Sequence, residues 1–209
     1  MVAVAVMGAD EPQQSTLPAL STDRLELRPV EEADLGLLIQ LNSDPAVMTH
    51  IRGRAATITE TRAEWSQRLT RQSNPARGLG YWLGFEDAEF VGWWSASWFA
   101  PRPETSGIGY RLCTAGWGRG LATEGARAMV GQAFADPGIE RVFASTKSGN
   151  TRSRRVLEKL AMTHTATWTR AGDDRLLDSE YDEVGYELSR ADWRTQRRRT
   201  ARADPGVPE

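Results

Sequence analysis

The 209 residues predict one α/β (α+β) domain, in which a mixed β-sheet of about six to seven strands is flanked by about four helices. Two observations support this fold class. Apolar residues recur at every second position in some segments and at every third or fourth position in others, and the two kinds of segment alternate along the second half of the chain. The domain is predicted to span 22–189. Residues 1–21 and 190–209 are polar, rich in Pro or Arg, and are predicted to be flexible tails.

The first strand is predicted around Leu25 and Leu27, which alternate with charged residues. Acidic residues within 31–34 then lead into leucines at helical spacing. This pattern predicts the first helix, because carboxylates favour the first turn. A second helix is indicated by Trp65 and Leu69, which are four residues apart and follow threonines that can cap a helix.

The remaining elements follow in an order typical of a mixed sheet. Three strands, the first two joined as an aromatic-rich hairpin, are predicted at 81–85, 90–99 and 108–113. They are followed by a helix from about 120 to 136, a strand at 141–146, a helix at 153–160 and two weaker strands at 164–169 and 181–188. Within the hairpin, Trp94 and Trp98 are candidates to wall a substrate pocket on the face opposite Trp93.

Composition argues against several classes of function. The net charge of −2 does not indicate a nucleic-acid or membrane partner, although the Arg-rich C-terminal run is a candidate for weak contact with RNA. A single cysteine, Cys113, cannot form an internal disulfide, and two histidines, His50 and His164, give no zinc-ligand spacing. No stretch approaches the roughly 20 apolar residues of a membrane-spanning helix. We therefore expect a cytoplasmic, reduced and metal-free protein, either a monomer or a homodimer.

A glycine-rich turn is the most informative segment, with Gly116, Gly118 and Gly120 between a predicted strand and a predicted helix. Backbone N–H groups at a helix start lack intrahelical partners and lie at the positive end of the helix dipole, so this turn predicts an anion site. A triphosphate-binding loop requires Lys after the last glycine, where this chain has Leu121. The dinucleotide fingerprint requires a third glycine at the position of Thr123. The departure at Thr123 disfavours a dinucleotide without excluding it, the pyrophosphate of coenzyme A is the third candidate anion, and glycines that only tighten the turn are the alternative.

Three segments together carry a resemblance to a known family. They are Tyr110-Arg111-Leu112, then Trp117-Gly118-Arg119-Gly120-Leu121-Ala122-Thr123-Glu124, then Asn150 and Ser153 followed by Val156-Leu157-Glu158-Lys159-Leu160. In these segments the sequence resembles the GNAT acetyltransferases, specifically the RimJ/RimL-type branch of ribosomal-protein N-terminal acetyltransferases, over roughly residues 22–188. The resemblance implies the GNAT fold and acetyl-CoA as co-substrate, with no metal. It also implies transfer of the acetyl group to a primary amine, on a protein N-terminus or a small molecule.

The resemblance further implies roles for individual residues. Backbone amides from Gly118 to Thr123 are expected to cradle the CoA pyrophosphate, and the Leu112 backbone is expected to pair with the pantetheine arm like an added strand. Asn150 is expected to contact the same arm. The residues implied in coenzyme binding are Tyr110, Arg111, Leu112, Trp117, Gly118, Arg119, Gly120, Leu121, Ala122, Thr123, Asn150 and Ser153.

The resemblance places the Ser153 hydroxyl where it can protonate the CoA sulfur, although a serine near a helix start is also a common cap. Members of this branch often carry Glu at the position of Gly107, so the catalytic base needs another source. Glu104, three residues upstream, is the candidate, and Asp182, Glu183 or a water chain are alternatives. The missing carboxylate leaves two other functions open. One is a non-catalytic module that binds CoA, and the other is a transferase that uses a different acyl-CoA.

Overall fold

The computed structural model describes residues 17–168 and 183–203, which form one eight-stranded mixed sheet with helices on both faces. The strands are β1 (Leu20–Ser21), β2 (Glu26–Pro29), β3 (Gly80–Glu86), β4 (Glu89–Trp98), β5 (Thr105–Leu112), β6 (Arg141–Lys147), β7 (Thr163–Trp168) and β8 (Glu183–Ser189). They lie across the sheet in chain order, except that β8 is between β6 and β7. The predicted fold class is confirmed.

Six α-helices occur in the described residues. They are α1 (Leu35–Ser43), α2 (Pro45–Arg52), α3 (Ile58–Arg71), α4 (Leu121–Ala135), α5 (Thr151–Lys159) and α6 (Arg190–Ala203). The short helix α2 was not predicted, although its ends are marked in the sequence. The Asp44 carboxylate accepts a hydrogen bond from the Ala46 N–H at 2.8 Å, Pro45 takes the first helical position, and Gly53 ends the helix at φ 71°.

The helix α3 begins with a capping box. The Thr57 hydroxyl accepts a hydrogen bond from the Glu60 N–H at 3.2 Å, and the Glu60 carboxylate accepts one from the Thr57 N–H at 2.8 Å. Two N–H groups at the helix start are thereby satisfied, and α3 is fixed against the sheet at the side where α1 also packs.

The pairing of β5 creates a gap in the sheet. Along one edge, β5 pairs with β4 from Ser106 to Leu112 in antiparallel register. Along the other edge it pairs in parallel with β6 only at Thr105, Ser106 and Gly107, while β6 continues with β8 as far as Lys147. Within the described residues, the β5 edge from 108 to 112 therefore has no partner strand on the β6 side.

Tryptophans on β4 pack on both faces of the sheet. Trp93 meets Trp65 and Tyr81 edge to face, at 5.5 and 5.8 Å between ring centroids, beneath α1 and α3. Trp94 is fully buried on the other face, under α4, and its Nε1 donates to the Ala122 carbonyl at 3.3 Å. The prediction that Trp94 and Trp98 wall a substrate pocket is wrong, because Trp94 is buried beneath α4 and Trp98, which is partly buried, packs against the same hydrophobic core.

The C-terminal segment differs from the flexible tail that was predicted from residue 190 onward. Residues 190–203 form α6, Trp193 packs on Phe134 at 4.9 Å between ring centroids, and the Arg190 side chain is buried. Two anchoring residues within a polar run thus hold this helix on the domain. At the other end, Leu17 packs against the core and β1 pairs with β2, so the described chain starts before the predicted boundary at 22.

The rest of the predicted tails, residues 1–16 and 204–209, lies outside the described residues. No helix in the described part of the chain has the length and apolar character needed to cross a membrane.

Candidate functional site

A cleft of about 1340 Å³ opens where β5 and β6 diverge. One wall is β5 from Gly107 to Leu112, and the opposite wall is β6 from Phe143 to Lys147. Residues of α2 close one end and the first turns of α4 and α5 close the other. The volume exceeds the 300 to 1000 Å³ typical of drug-sized ligands, so the cleft has room for a long ligand together with a second molecule.

The β5 wall presents backbone rather than charged side chains. The Arg111 side chain is buried on the far face, where its Nη1 donates to Asn42 at 2.5 Å and its Nη2 to Glu64 at 3.1 Å. Burial alone would raise the pKa of Glu64, but Arg111 and Arg68 outweigh it and keep that pKa low, so the carboxylate remains ionised. The Arg111 guanidinium is thus held by Asn42 and Glu64, and it also lies 5.3 Å from the ring centroid of Trp93.

The glycine-rich turn carries the chain from β5 into α4. Gly118 and Gly120 have φ values of 73° and 87°, which only glycine adopts without strain, and both line the cleft. Gly120 is the N-cap and has no side chain to occupy the N–H groups of the first turn. The N–H groups of Thr123 and Glu124 bond to the Gly120 carbonyl at 3.0 and 3.1 Å, so the amides left for an anion are those before Thr123.

Other residues of the same turn have different roles. The Leu121 side chain is fully buried in the core, and Arg119 pairs with Glu86 at 2.6 Å outside the cleft. Trp117 lines the cleft, where its Nε1 donates to the Leu112 carbonyl at 3.0 Å and the Arg152 guanidinium lies 4.8 Å from its ring centroid. Leu121 and Arg119 can thus act on a ligand only through their backbone, whereas Trp117 shapes the wall.

Asn150, Ser153 and Tyr110 meet at the start of α5. The Asn150 Oδ1 accepts from the Ser153 N–H at 3.1 Å and caps the helix, which leaves the Asn150 Nδ2 group to donate. The Ser153 hydroxyl lies 3.0 Å from the Tyr110 hydroxyl across the cleft. Burial raises the pKa of Tyr110 to about 12, so its phenol keeps its proton at neutral pH. The cap at this helix is therefore Asn150, and the Ser153 side chain faces the cleft.

Four cationic residues line the α5 end of the cleft: Lys147, Arg152, Arg155 and Lys159. Arg152 lies against Trp117 of the glycine-rich turn, so phosphate groups at this end find backbone N–H donors and positive side chains in the same cleft. This distribution suits a ligand with several phosphates.

The opposite end of the cleft is lined by polar and aromatic side chains. His50 comes from α2, Trp93 from β4, and a hydrogen-bonded chain runs from Arg68 through Tyr81 to Gln72. In that chain the Arg68 Nη1 donates to the Tyr81 hydroxyl at 3.1 Å, and the Tyr81 hydroxyl donates to Gln72 at 2.5 Å. Trp93 is therefore the tryptophan of β4 that lines the cleft, whereas Trp94 and Trp98 had been predicted to do so.

The structure does not bring Glu104 to this site. Glu104 is exposed before β5 and does not line the cleft, and its carbonyl accepts the Glu140 N–H at 2.8 Å. A Cβ at Gly107 would lie 2.7 Å from the Ser97 hydroxyl and 3.4 Å from the Phe143 ring, so a larger residue there would require these side chains to move. Glu183, at the start of β8, lines the cleft, whereas Asp182 lies outside the described residues.

These features define a class of protein. An unpaired strand edge leads to a helix start that is open to anions, which is an arrangement that holds an extended ligand with a phosphorylated end. The residues present thus fit coenzyme A, because the β5 edge can pair with the amides of its arm and the turn can hold its pyrophosphate.

Comparisons with known proteins agree with this class. The acetyltransferase (GNAT) domain family matches residues 24–163. An Aspergillus fumigatus protein named FsC-acetyl coenzyme A-N(2)-transacetylase is 34% identical over 187 residues, which cover 84% of this chain and 78% of the relative. The chain belongs to the GNAT acetyltransferases, and it is an acyltransferase dependent on acetyl-CoA.

Solved structures share the fold at lower identity. The ribosomal-protein α-N-acetyltransferase RimL in complex with coenzyme A has a TM-score of 0.67 at 22% identity, over 83% of this chain and 97% of that chain. The aminoglycoside acetyltransferase AAC(6')-Ib in complex with ribostamycin and coenzyme A also has a TM-score of 0.67, at 20% identity, over 84% of this chain and 98% of that chain.

Proposed function

We propose that this enzyme transfers an acetyl group directly from acetyl-CoA to a primary amine, without an acyl-enzyme. The observation that carries the proposal is the unpaired β5 edge, which runs from Ile108 to Leu112 and ends at the open start of α4. Acetyl-CoA bound along this edge supplies the acetyl group as a thioester. The amine approaches from the opposite end of the cleft, where His50 and Trp93 form the wall.

Coenzyme binding is assigned to backbone more than to side chains. Amides from Gly118 to Ala122 bind the pyrophosphate, and the N–H and C=O groups of Tyr110 and the N–H of Leu112 pair with the pantetheine arm, while the Leu112 C=O accepts from Trp117. Asn150 donates to that arm through its Nδ2 group, which the helix cap leaves available. The cationic residues of the α5 end neutralise the phosphates.

Ser153 and Tyr110 are assigned to the sulfur. Tyr110 stays protonated, and in the proposed arrangement its hydroxyl donates a hydrogen bond to the Ser153 Oγ 3.0 Å away, so that the serine hydrogen points at the sulfur and stabilises the departing thiolate. A backbone N–H of the β5 edge donates to the thioester oxygen as negative charge develops there. The attacking amine loses its proton to water or to Glu183, which is the carboxylate lining the cleft among the described residues.

The acceptor is proposed to be the amine of a small molecule or of a protein N-terminus. The name of the fungal relative specifies transfer to an N(2) nitrogen, which favours nitrogen as the acceptor atom here. We also propose membership of the RimJ/RimL-type branch, on the strength of the Tyr110-Arg111-Leu112 and Asn150-x-x-Ser153 segments.

A second candidate function rests on Gly107. Because Gly107 supplies no carboxylate and Glu104 lies outside the cleft, the second candidate is a module that binds CoA without turnover. A transferase that uses a longer acyl-CoA is a variant of the first proposal. The depth of the cleft sets the length of the acyl chain that can bind.

One experiment separates these functions. CoA affinity is measured by titration calorimetry, and release of free CoA thiol is followed with a panel of peptide N-termini, small α-amines and aminoglycosides, with acetyl-CoA and longer acyl-CoAs as donors. Thiol release together with an N-acetylated product supports the transferase. Tight CoA binding without turnover on any amine supports the binding module, and absence of CoA binding overturns both.

A further inference from the structure

Arg24 lies in the turn between β1 and β2 and does not line the cleft, yet it contacts the start of α4. Its Nε and Nη2 donate to the Glu124 Oε2 at 2.8 and 2.6 Å, and its backbone N–H donates to the Oε1 at 2.9 Å. Its Nη1 donates to the carbonyl oxygen of Arg119 at 2.9 Å. One guanidinium thus holds both the glycine-rich turn and the first turn of the helix.

The contact with Arg119 fixes a peptide plane. A trans peptide is planar, with its C=O and N–H pointing in opposite directions. Since the Arg119 oxygen points at Arg24, the N–H of the same peptide, which belongs to Gly120, points away from Arg24. Gly120 lines the cleft, so this N–H is directed to the side where the pyrophosphate is proposed to bind. Without Arg24 this peptide is less restrained, because Gly120 at one of its two ends tolerates many backbone conformations.

The contact with Arg24 neutralises the negative charge of the Glu124 carboxylate. Glu124 lies in the first turn of α4, close to the proposed phosphate site, where an uncompensated carboxylate would repel the ligand. Burial alone would raise the pKa of Glu124, but hydrogen bonds from the Thr22 hydroxyl and from Arg24 lower it, so the group is ionised at neutral pH. Its side chain is 16% exposed, which leaves Arg24 as its counterion rather than solvent.

We infer that Arg24 is a positioning residue for coenzyme binding: it orients the Gly120 N–H into the cleft and neutralises Glu124, so that the turn presents donors and no negative charge. The inference rests on the proposed function, because it assumes that the turn binds the CoA pyrophosphate. Arg24 itself does not touch the coenzyme.

The test is the dissociation constant of CoA, measured by titration calorimetry on the full chain. Arg24→Gln is expected to raise it about ten-fold, since both the peptide orientation and the charge balance at the helix start are lost. Glu124→Gln in the Arg24→Gln background is expected to recover part of that loss, because the uncompensated carboxylate is gone. A double variant as weak as Arg24→Gln alone overturns the charge argument.

Arg28→Gln is the matched control. Arg28 forms a two-point ion pair with Asp34 at 2.6 and 2.8 Å, with 43% of its side chain exposed against 42% for Arg24, and it does not line the cleft. Its loss is expected to leave CoA affinity unchanged. Equal affinity of Arg24→Gln and the unmodified protein overturns the inference, and so does an equal loss in both variants, which would indicate general destabilisation. If the unmodified protein does not bind CoA, the proposed function itself fails, and the role of Arg24 with it.

Discussion

Arg190 is the residue by which α6 is held on the domain, and replacing it by methionine is expected to destabilise the protein strongly. Its Nε donates to the Ile139 carbonyl at 2.7 Å, its Nη1 to Phe134 at 2.9 Å and its Nη2 to Asp136 at 2.5 Å. Two of these carbonyls end α4, where the helix dipole is negative and a cation is favourable. Methionine keeps most of the apolar contact but leaves all three oxygens without this donor.

The expected loss of stability in Arg190→Met follows from the number of hydrogen bonds that the guanidinium makes. A buried hydrogen bond contributes about 1 kcal/mol net, and one to a charged group about 1.5 to 3 kcal/mol, from which the cost of burying the guanidinium must be subtracted. Three such bonds predict a loss of about 3 kcal/mol in the free energy of unfolding. For a protein of this size that corresponds to a fall of about 6 to 12 °C in Tm.

Chemical denaturation and thermal unfolding of Arg190→Met measure this loss. Arg198→Met is the control, because Arg198 is exposed on the same helix, and its replacement is expected to change stability by less than about 0.5 kcal/mol. A loss below about 1 kcal/mol for Arg190→Met would refute the view that α6 is anchored by this side chain. It would also favour the original expectation of a tail.

Three further predictions concern the site and its surroundings. Gly120→Asp is expected to abolish CoA binding in calorimetry, and Gly120→Ala, which has the same strain at φ 87° without the charge, should bind more tightly than the aspartate. Ser153→Ala is expected to lower kcat about a hundred-fold with little change in the KM of acetyl-CoA. Adding Tyr110→Phe to Ser153→Ala should lower kcat no further, because Tyr110 acts through the serine. Tyr186→Phe is the control, since Tyr186 does not line the cleft and its replacement should leave kcat unchanged. Burial alone would raise the pKa of Asp34, but Arg28 and the Glu31 backbone N–H lower it below the unfolded value of about 3.9. The contribution of Asp34 to the free energy of unfolding is therefore present above about pH 4 and is lost as the pH falls through the folded pKa. Asp34→Asn should therefore unfold more easily than the unmodified protein at pH 6 and by a smaller margin at pH 3.

The glycine-rich turn and the start of α5 could be predicted from the sequence because their geometry depends on residues close together in the chain. Gly118 and Gly120 indicate a turn with positive φ, which glycine adopts without strain, and the helix that follows supplies free N–H groups within a few residues. Asn150 and Ser153 are likewise three residues apart, so the cap that orients α5 lies within one segment.

The packing of β4 could not be predicted because the alternation of side chains along a strand assigns them to two faces of the sheet without indicating which helices cover each face. One residue of α4 carried the missing information. A Cβ at Gly125 would lie 2.5 Å from the Trp94 ring, so a glycine inside a helix marks the place where a large ring packs against it. Arg190 gave no such signal, since the spacing within the arginine-rich run does not distinguish its buried side chain from those of Arg197 and Arg198, which are exposed.

The interruption between β5 and β6 divides the sheet into two blocks, and this has a mechanical meaning. Strands β1 to β5 form one block and β6 to β8 the other, and their direct pairing consists of three residue pairs, Thr105 to Gly107. A ligand that pairs with the β5 edge acts as a strut between the blocks, so free energy released on binding also resists their separation. If acetyl-CoA binds along this edge as proposed, the two blocks are held together more strongly with the coenzyme bound than in the empty protein.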